Sequence, residues 1–264
     1  MLRPGPVGLL LLRRVPASSN LPRRLVAELL GTGLLVTVVV GSGVAAQRLS
    51  PQDRGLQLLE NSTATFLGLA VLILLFGPVS GSHLNPVVSA ADWWFGRRSR
   101  SGLPAREVGG YTLVQVLGAV LGAELANLMY DVPLGELSGH DRSGTGVLLG
   151  EVVATAGLVA LILSLAATGR TALAAPAVGA YIGAAYWFTS STSFANPAVT
   201  VGRVFSDTFA GIAPGSVPGF VLAQLVGAAV GTALVVWLHG TGRGETVADD
   251  VVVPHGAPDR ERQP

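Results

Sequence analysis

Cysteine is absent from the 264 residues, which excludes disulfides, thiol nucleophiles and thiolate metal sites. Histidine occurs only four times and is scattered, too thin a set for a metal centre, so no metal and no cofactor is expected. Charge is also scarce: 12% of residues are charged, against about 25% in an ordinary soluble domain. The net charge of +1 gives no general attraction toward nucleic acid or acidic partners. Lysine is missing altogether, so all 17 basic residues are arginine, a usage that fits a GC-rich bacterial coding sequence. What remains is apolar, with 50% hydrophobic residues and a mean hydropathy of +0.56, and the bilayer is the expected solvent.

A membrane-spanning helix needs about 20 apolar residues. Six stretches meet or approach that length, at 24–46, 57–77, 106–128, 146–168, 171–189 and 216–239. Six spans place both termini on one side of the membrane. The loops assigned to that side carry thirteen arginines and the opposite loops four, so both termini are expected in the cytoplasm. The apolar run Val7 to Leu12 is too short for a secretory signal. Residues 1–21 therefore read as a flexible lead-in and 241–264, rich in Gly, Pro and charge, as a disordered tail. Between them, 22–240 forms one membrane domain.

That domain is written twice, in halves at about 22–130 and 144–240. Glu28-Leu-Leu-Gly-Thr32 in the first span is answered by Glu151-Val-Val-Ala-Thr155 in the fourth. Ser82-His83-Leu84-Asn85-Pro86-Val87 is answered by Ser193-Phe194-Ala195-Asn196-Pro197-Ala198. Gln115, Gly118 and Gly122 in the third span match Gln224, Gly227 and Gly231 in the sixth. Three spans per half is an odd number, so the second half must lie inverted relative to the first, with the functional site near the midplane between them. The paired Gly-xxx-Gly spacings predict close helix packing.

Each Asn-Pro box is followed by a segment too short to cross the bilayer, ending near Phe95 and near Phe205. Each is expected to dip in as a loop and return as a half-helix. Non-helical backbone at that depth survives only where protein or water satisfies its polar groups, which favours a water-lined path. Proline fits the first helical turn and Asn the cap before it, so both boxes start helices. Two positive helix ends and two Asn amides would then meet at the pore centre, passing neutral solutes and opposing cations.

The two Asn-Pro boxes, the inverted six-span repeat and the Ser-Gly-Ser-His-Leu-Asn-Pro stretch resemble the aquaporin, or major intrinsic protein, family over about residues 22–240. The resemblance implies an all-α membrane fold of six transmembrane helices and two re-entrant half-helices. It implies a channel for water and small uncharged solutes, assembled as a homotetramer in the inner (plasma) membrane. Val87 departs from the usual Asn-Pro-Ala at a helix-start position that need not face the pore. Glu28, Glu151 and His83 are expected to brace the loops rather than relay protons.

By the same resemblance, the residue after the second box is usually Arg, but here it is Val199. Counting along the family pattern puts the other filter positions at Thr65, Ala184 and Ser193, or Phe194 in place of Ser193. This small, mostly apolar set predicts a wide filter. Arg203, four residues past Val199, is either a displaced outer gate or a helix-end residue bound to loop carbonyls or Asp207. The run Asn-Pro-Ala-Val-Thr-Val-Gly-Arg resembles a bacterial branch associated with metalloid hydroxides such as arsenous acid; the filter alone fits glycerol and urea equally well. A coupled transporter also uses inverted repeats but needs midplane ion sites, and a closed structural protein needs an occluded filter. No nucleophile, base and orienting group gather on any span, so no catalysis is expected. Asn61-Ser62-Thr63 matches a glycosylation sequon at a span end and carries little weight.

Overall fold

The computed structural model describes residues 20–97 and 102–239. The lead-in and the tail read from the sequence lie outside this range, apart from Asn20 and Leu21. The described residues form eight α-helices and no strand: α1 (Leu21–Leu49), α2 (Arg54–Ser80), α3 (Pro86–Gly96), α4 (Ala105–Met129), α5 (Thr145–Ala167), α6 (Ala174–Phe188), α7 (Pro197–Gly202) and α8 (Val217–His239). Each of the six long helices ends within three residues of a predicted span, counting the 3₁₀ turn Thr171–Leu173 with α6. The two short ones, α3 and α7, are the half-helices, and the turn Arg203–Phe205 extends α7.

Local chemistry explains the boundaries. The Asn20 side chain caps α1 by accepting from the Arg23 N–H, and Asp53 caps α2 by accepting from Leu56 at 2.9 Å. Gly81 ends α2 in the left-handed conformation, φ 85°, where its N–H reaches Gly77 O at 3.0 Å.

The burial pattern is that of a protein dissolved in lipid. Along α4, Leu113, Leu117, Leu121, Leu125 and Leu128 face outward, while Gln115, Gly118, Ala119, Gly122 and Ala123 face inward. Small residues set the helix spacing. A Cβ on Gly118 would lie 2.2 Å from Leu29 O, and one on Gly122 2.0 Å from Gly33 O, so α4 rests backbone-to-backbone on α1. The second half repeats this: Cβ atoms at Gly227 and Gly231 would meet Val152 O at 2.6 Å and Ala156 O at 2.3 Å, seating α8 on α5. The Gly-xxx-Gly faces are thus consumed inside the chain and are not left for contacts between copies. Within this frame α3 and α7 abut.

Candidate functional site

The two loops ahead of α3 and α7 have the same unusual backbone. Ser82 and Leu84 take φ of 50° and 49°, and Ser193 and Ala195 take 50° and 48°. L-residues pay about 1–2 kcal/mol each for that conformation, so something must hold it. In the first loop the holder is Glu28. Its Oε1 accepts from the His83 N–H (2.9 Å) and the Ser80 hydroxyl (2.6 Å), and its Oε2 from the Leu84 N–H (2.7 Å) and Gln115 Nε2 (2.7 Å). In the second loop Glu151 accepts from the N–H groups of Phe194 and Ala195, both at 2.9 Å, and from Gln224 Nε2 at 2.6 Å. Each glutamine then reaches a half-helix hydroxyl, Gln115 to Ser89 Oγ at 3.2 Å and Gln224 to Thr200 Oγ1 at 2.8 Å. Both carboxylates are fully buried.

The loops lock onto each other through the asparagines. Asn85 Nδ2 donates to Ala195 O at 2.8 Å, and Asn196 Nδ2 donates to Leu84 O at 2.7 Å. Their Oδ1 atoms cap their own helices, Asn85 accepting from Val87 N–H and Asn196 from the N–H groups of Ala198 and Val199. An amide has two N–H donors, so each Asn retains one for other use, and both line a cavity running along the chain's interior. Pro86 and Pro197 occupy the first helical turn. Val87 points away from that cavity into a groove between α3 and α8, and Ala198 is buried.

His83 also lines the cavity; its Nδ1 lies 3.0 Å from Ser89 Oγ and its Nε2 3.8 Å from Asp92 Oδ2. Asp92 Oδ2 accepts from the Leu103 N–H at 2.7 Å, tying α3 to the segment before α4.

Of the positions counted for the filter, Thr65, Ser193 and Val199 line the cavity, and so does the alternative Phe194. Ala184 does not: it is exposed on the outside of α6. The cavity face of α6 is Val178, Ile182 and Tyr186, one helical turn apart, and Ala184 sits about 200° around the helix from Ile182. Tyr186 stands in its place, with its hydroxyl 3.2 Å from Thr65 Oγ1. Arg203 is buried at 2% exposure and lines the same cavity. Its Nε donates to Ala210 O, and its Cζ lies 3.5 Å from the Phe194 ring centroid. It is therefore both carbonyl-bound and cavity-facing, while Asp207 instead accepts from the Gly139 N–H at 2.9 Å. With Tyr186, Phe194 and Arg203 in it, the cavity lining is more polar and bulkier than the expected small, apolar set. The repeat of Val178, Ile182 and Tyr186 on α6 could have revealed Tyr186. Among the described residues, no cluster of three or more His, Asp or Glu is placed to hold a metal.

Comparison with known proteins gives a consistent result. The model of the family described as "Major intrinsic protein" matches residues 16–193. The aquaglyceroporin AqpS of Rhizobium meliloti (strain 1021) is 49% identical over 219 residues, covering 83% of this chain and 91% of that protein. The glycerol uptake facilitator protein of Escherichia coli (strain K12) is 34% identical over 176 residues, 58% of this chain and 60% of that protein. In fold, the chain is similar to the X-ray structure of the aquaglyceroporin from Plasmodium falciparum, with a TM-score of 0.57, 20% identity, and coverage of 84% of this chain and 96% of that one.

Proposed function

The chain belongs to the major intrinsic protein family, whose members are channels rather than enzymes, and on that premise we propose that it conducts water and small uncharged solutes passively, with glycerol, urea and metalloid hydroxides such as arsenous acid within its range. The observation that carries the reading is the pair of cavity-lining asparagine amides, each pinned to the opposite loop with a second N–H to spare. A neutral hydroxyl compound can accept a hydrogen bond there, whereas a dehydrated cation meets the positive ends of α3 and α7. The names of the relatives, an aquaglyceroporin and a glycerol facilitator, support polyol-sized solutes.

At the far end of the cavity, Thr65, Tyr186, Phe194, Val199 and Arg203 form the selectivity ring, with Arg203 supplying the positive gate. The working arrangement is a homotetramer in the inner membrane, as in the family it belongs to, with cytoplasmic termini, the last supported by the thirteen-to-four arginine asymmetry.

Stopped-flow light scattering on proteoliposomes tests this, comparing entry of water, glycerol and arsenous acid for the native chain and for Val199→Arg. Native vesicles should pass all three without an imposed ion gradient, and Val199→Arg should lose the larger solutes while keeping water. Vesicles of confirmed protein content that match empty ones would end the channel reading. Arg203→Ala should raise cation leak; unchanged leak would remove the gate from it.

A further inference from the structure

Arg142 lies in the connection between the two halves, outside both Asn-Pro segments, and no motif marks it. Its Nε donates to Gly211 O at 2.7 Å and its Nη2 to Phe209 O at 3.0 Å. The carbonyl between these two, Ala210 O, takes Arg203 Nε. Three consecutive carbonyls are thus shared alternately by two guanidiniums. The same two groups meet one aromatic ring, with Arg142 Cζ 5.0 Å and Arg203 Cζ 3.5 Å from the Phe194 centroid. Among the described residues, neither guanidinium has a carboxylate within ion-pair distance. Burial lowers the Arg142 pKa to about 10, which leaves it charged at neutral pH.

We propose that Arg142 is the positioning residue of the cavity's outer end: by gripping the carbonyls on either side of Ala210 it fixes the Arg203 guanidinium against Phe194, and it adds a second positive charge at that mouth. Two like charges over one ring would separate if free. The carbonyl dipoles and the ring face offset that repulsion. A planar fork can hold two carbonyls two residues apart, whereas a lysine ammonium is a single flexible point charge. Arg142→Lys therefore keeps the charge and loses the grip, and Arg142→Gln loses both.

This inference rests on the channel reading for its transport readout, so a second readout is independent of transport. In proteoliposomes of the full chain, Arg142→Lys should raise the glycerol-to-water permeability ratio at least three-fold while cation leak stays within two-fold of native. Arg142→Gln should raise cation leak at least ten-fold. In parallel, hydrogen exchange of the Arg203 Nε–H, followed by NMR, should speed at least ten-fold in Arg142→Lys. Native-like ratio, leak and exchange in Arg142→Lys overturn the proposal. If native vesicles conduct nothing, the channel reading fails, and the Arg203 Nε–H exchange alone decides whether Arg142 positions it. If Arg142→Gln does not fold, the lysine variant decides.

Discussion

Replacing Glu28 by Gln tests the loop brace most directly, because the change is one atom in a site with four donors. Glutamine turns one acceptor oxygen into an NH2 group. If the NH2 takes the Oε1 place it faces the His83 N–H and the Ser80 hydroxyl, and Ser80 can rotate to accept, but His83 cannot. If it takes the Oε2 place it faces Leu84 N–H and Gln115, whose Oε1 has no partner in the fold and can swing in by an amide flip, but Leu84 cannot. Either way one buried backbone N–H is orphaned, at about 1–3 kcal/mol, and the remaining bonds lose their charge assistance, for a total of about 2–5 kcal/mol. The orphan sits beside the left-handed Ser82 and Leu84, so the loop has a route to relax, and Leu84 O, the acceptor for Asn196, moves with it. The expected result is a thermal midpoint lower by on the order of 10 °C in detergent and a fall in water permeability. Glu151→Gln should behave similarly, since Glu151 holds the paired loop the same way. An unchanged midpoint with unchanged permeability would refute the brace. An unchanged midpoint with abolished proton movement would assign Glu28 to proton transfer instead.

Three further outcomes follow from the geometry. Gly122→Ala places a methyl 2.0 Å from Gly33 O and should destabilise by about 3 kcal/mol or more, whereas Gly109→Ala, with nothing within 4 Å, should be neutral or mildly stabilising; paired melting curves check both. Tyr186→Phe removes one neutral hydrogen bond to Thr65, worth about 1 kcal/mol, and should shift the glycerol-to-water ratio by about five-fold in stopped-flow assays without loss of folding. His140 is held below its usual 6.5, first by burial and then by Arg142 and Arg203. Its neutral form is the one the fold favours, so that contribution is present above pH 6.5 and is lost as pH falls through the lower folded value. Melting at pH 7.5 and pH 5 should show a larger drop for the native chain than for His140→Gln.

The spans, half-helices and glycine seams could be read ahead of the structure because the bilayer permits few solutions. Backbone polar groups must be satisfied internally, so apolar runs become helices, and small residues spaced by four become contacts. Glu28 and Glu151 are also legible as matched landmarks of the two halves, whereas a bracing role for them and for His83 is what the family resemblance implies. What escaped reading lies outside the landmarks that match between the halves. Counting along the family pattern gives Ala184, and on α6 a two-residue difference moves a side chain from the cavity to the exposed face. Arg142 lies in the connection between the halves, which has no partner in the repeat and no periodicity.

The repeat itself shows where this limit falls. At the spacing of the two asparagines, His83 corresponds to Phe194 and Asp92 to Arg203. One half therefore sets a histidine beside an acid, 3.8 Å apart, and the other sets a phenylalanine beneath a guanidinium at 3.5 Å. The backbone, braces and caps around these pairs are nearly the same. The frame that positions the two asparagines is thus symmetric and recoverable from self-comparison, while equivalent positions on either side of them carry opposite chemistry. On the channel function proposed above, discrimination between solutes is expected from those unequal ends, which differ in charge and bulk where the centre presents the same amide from both loops.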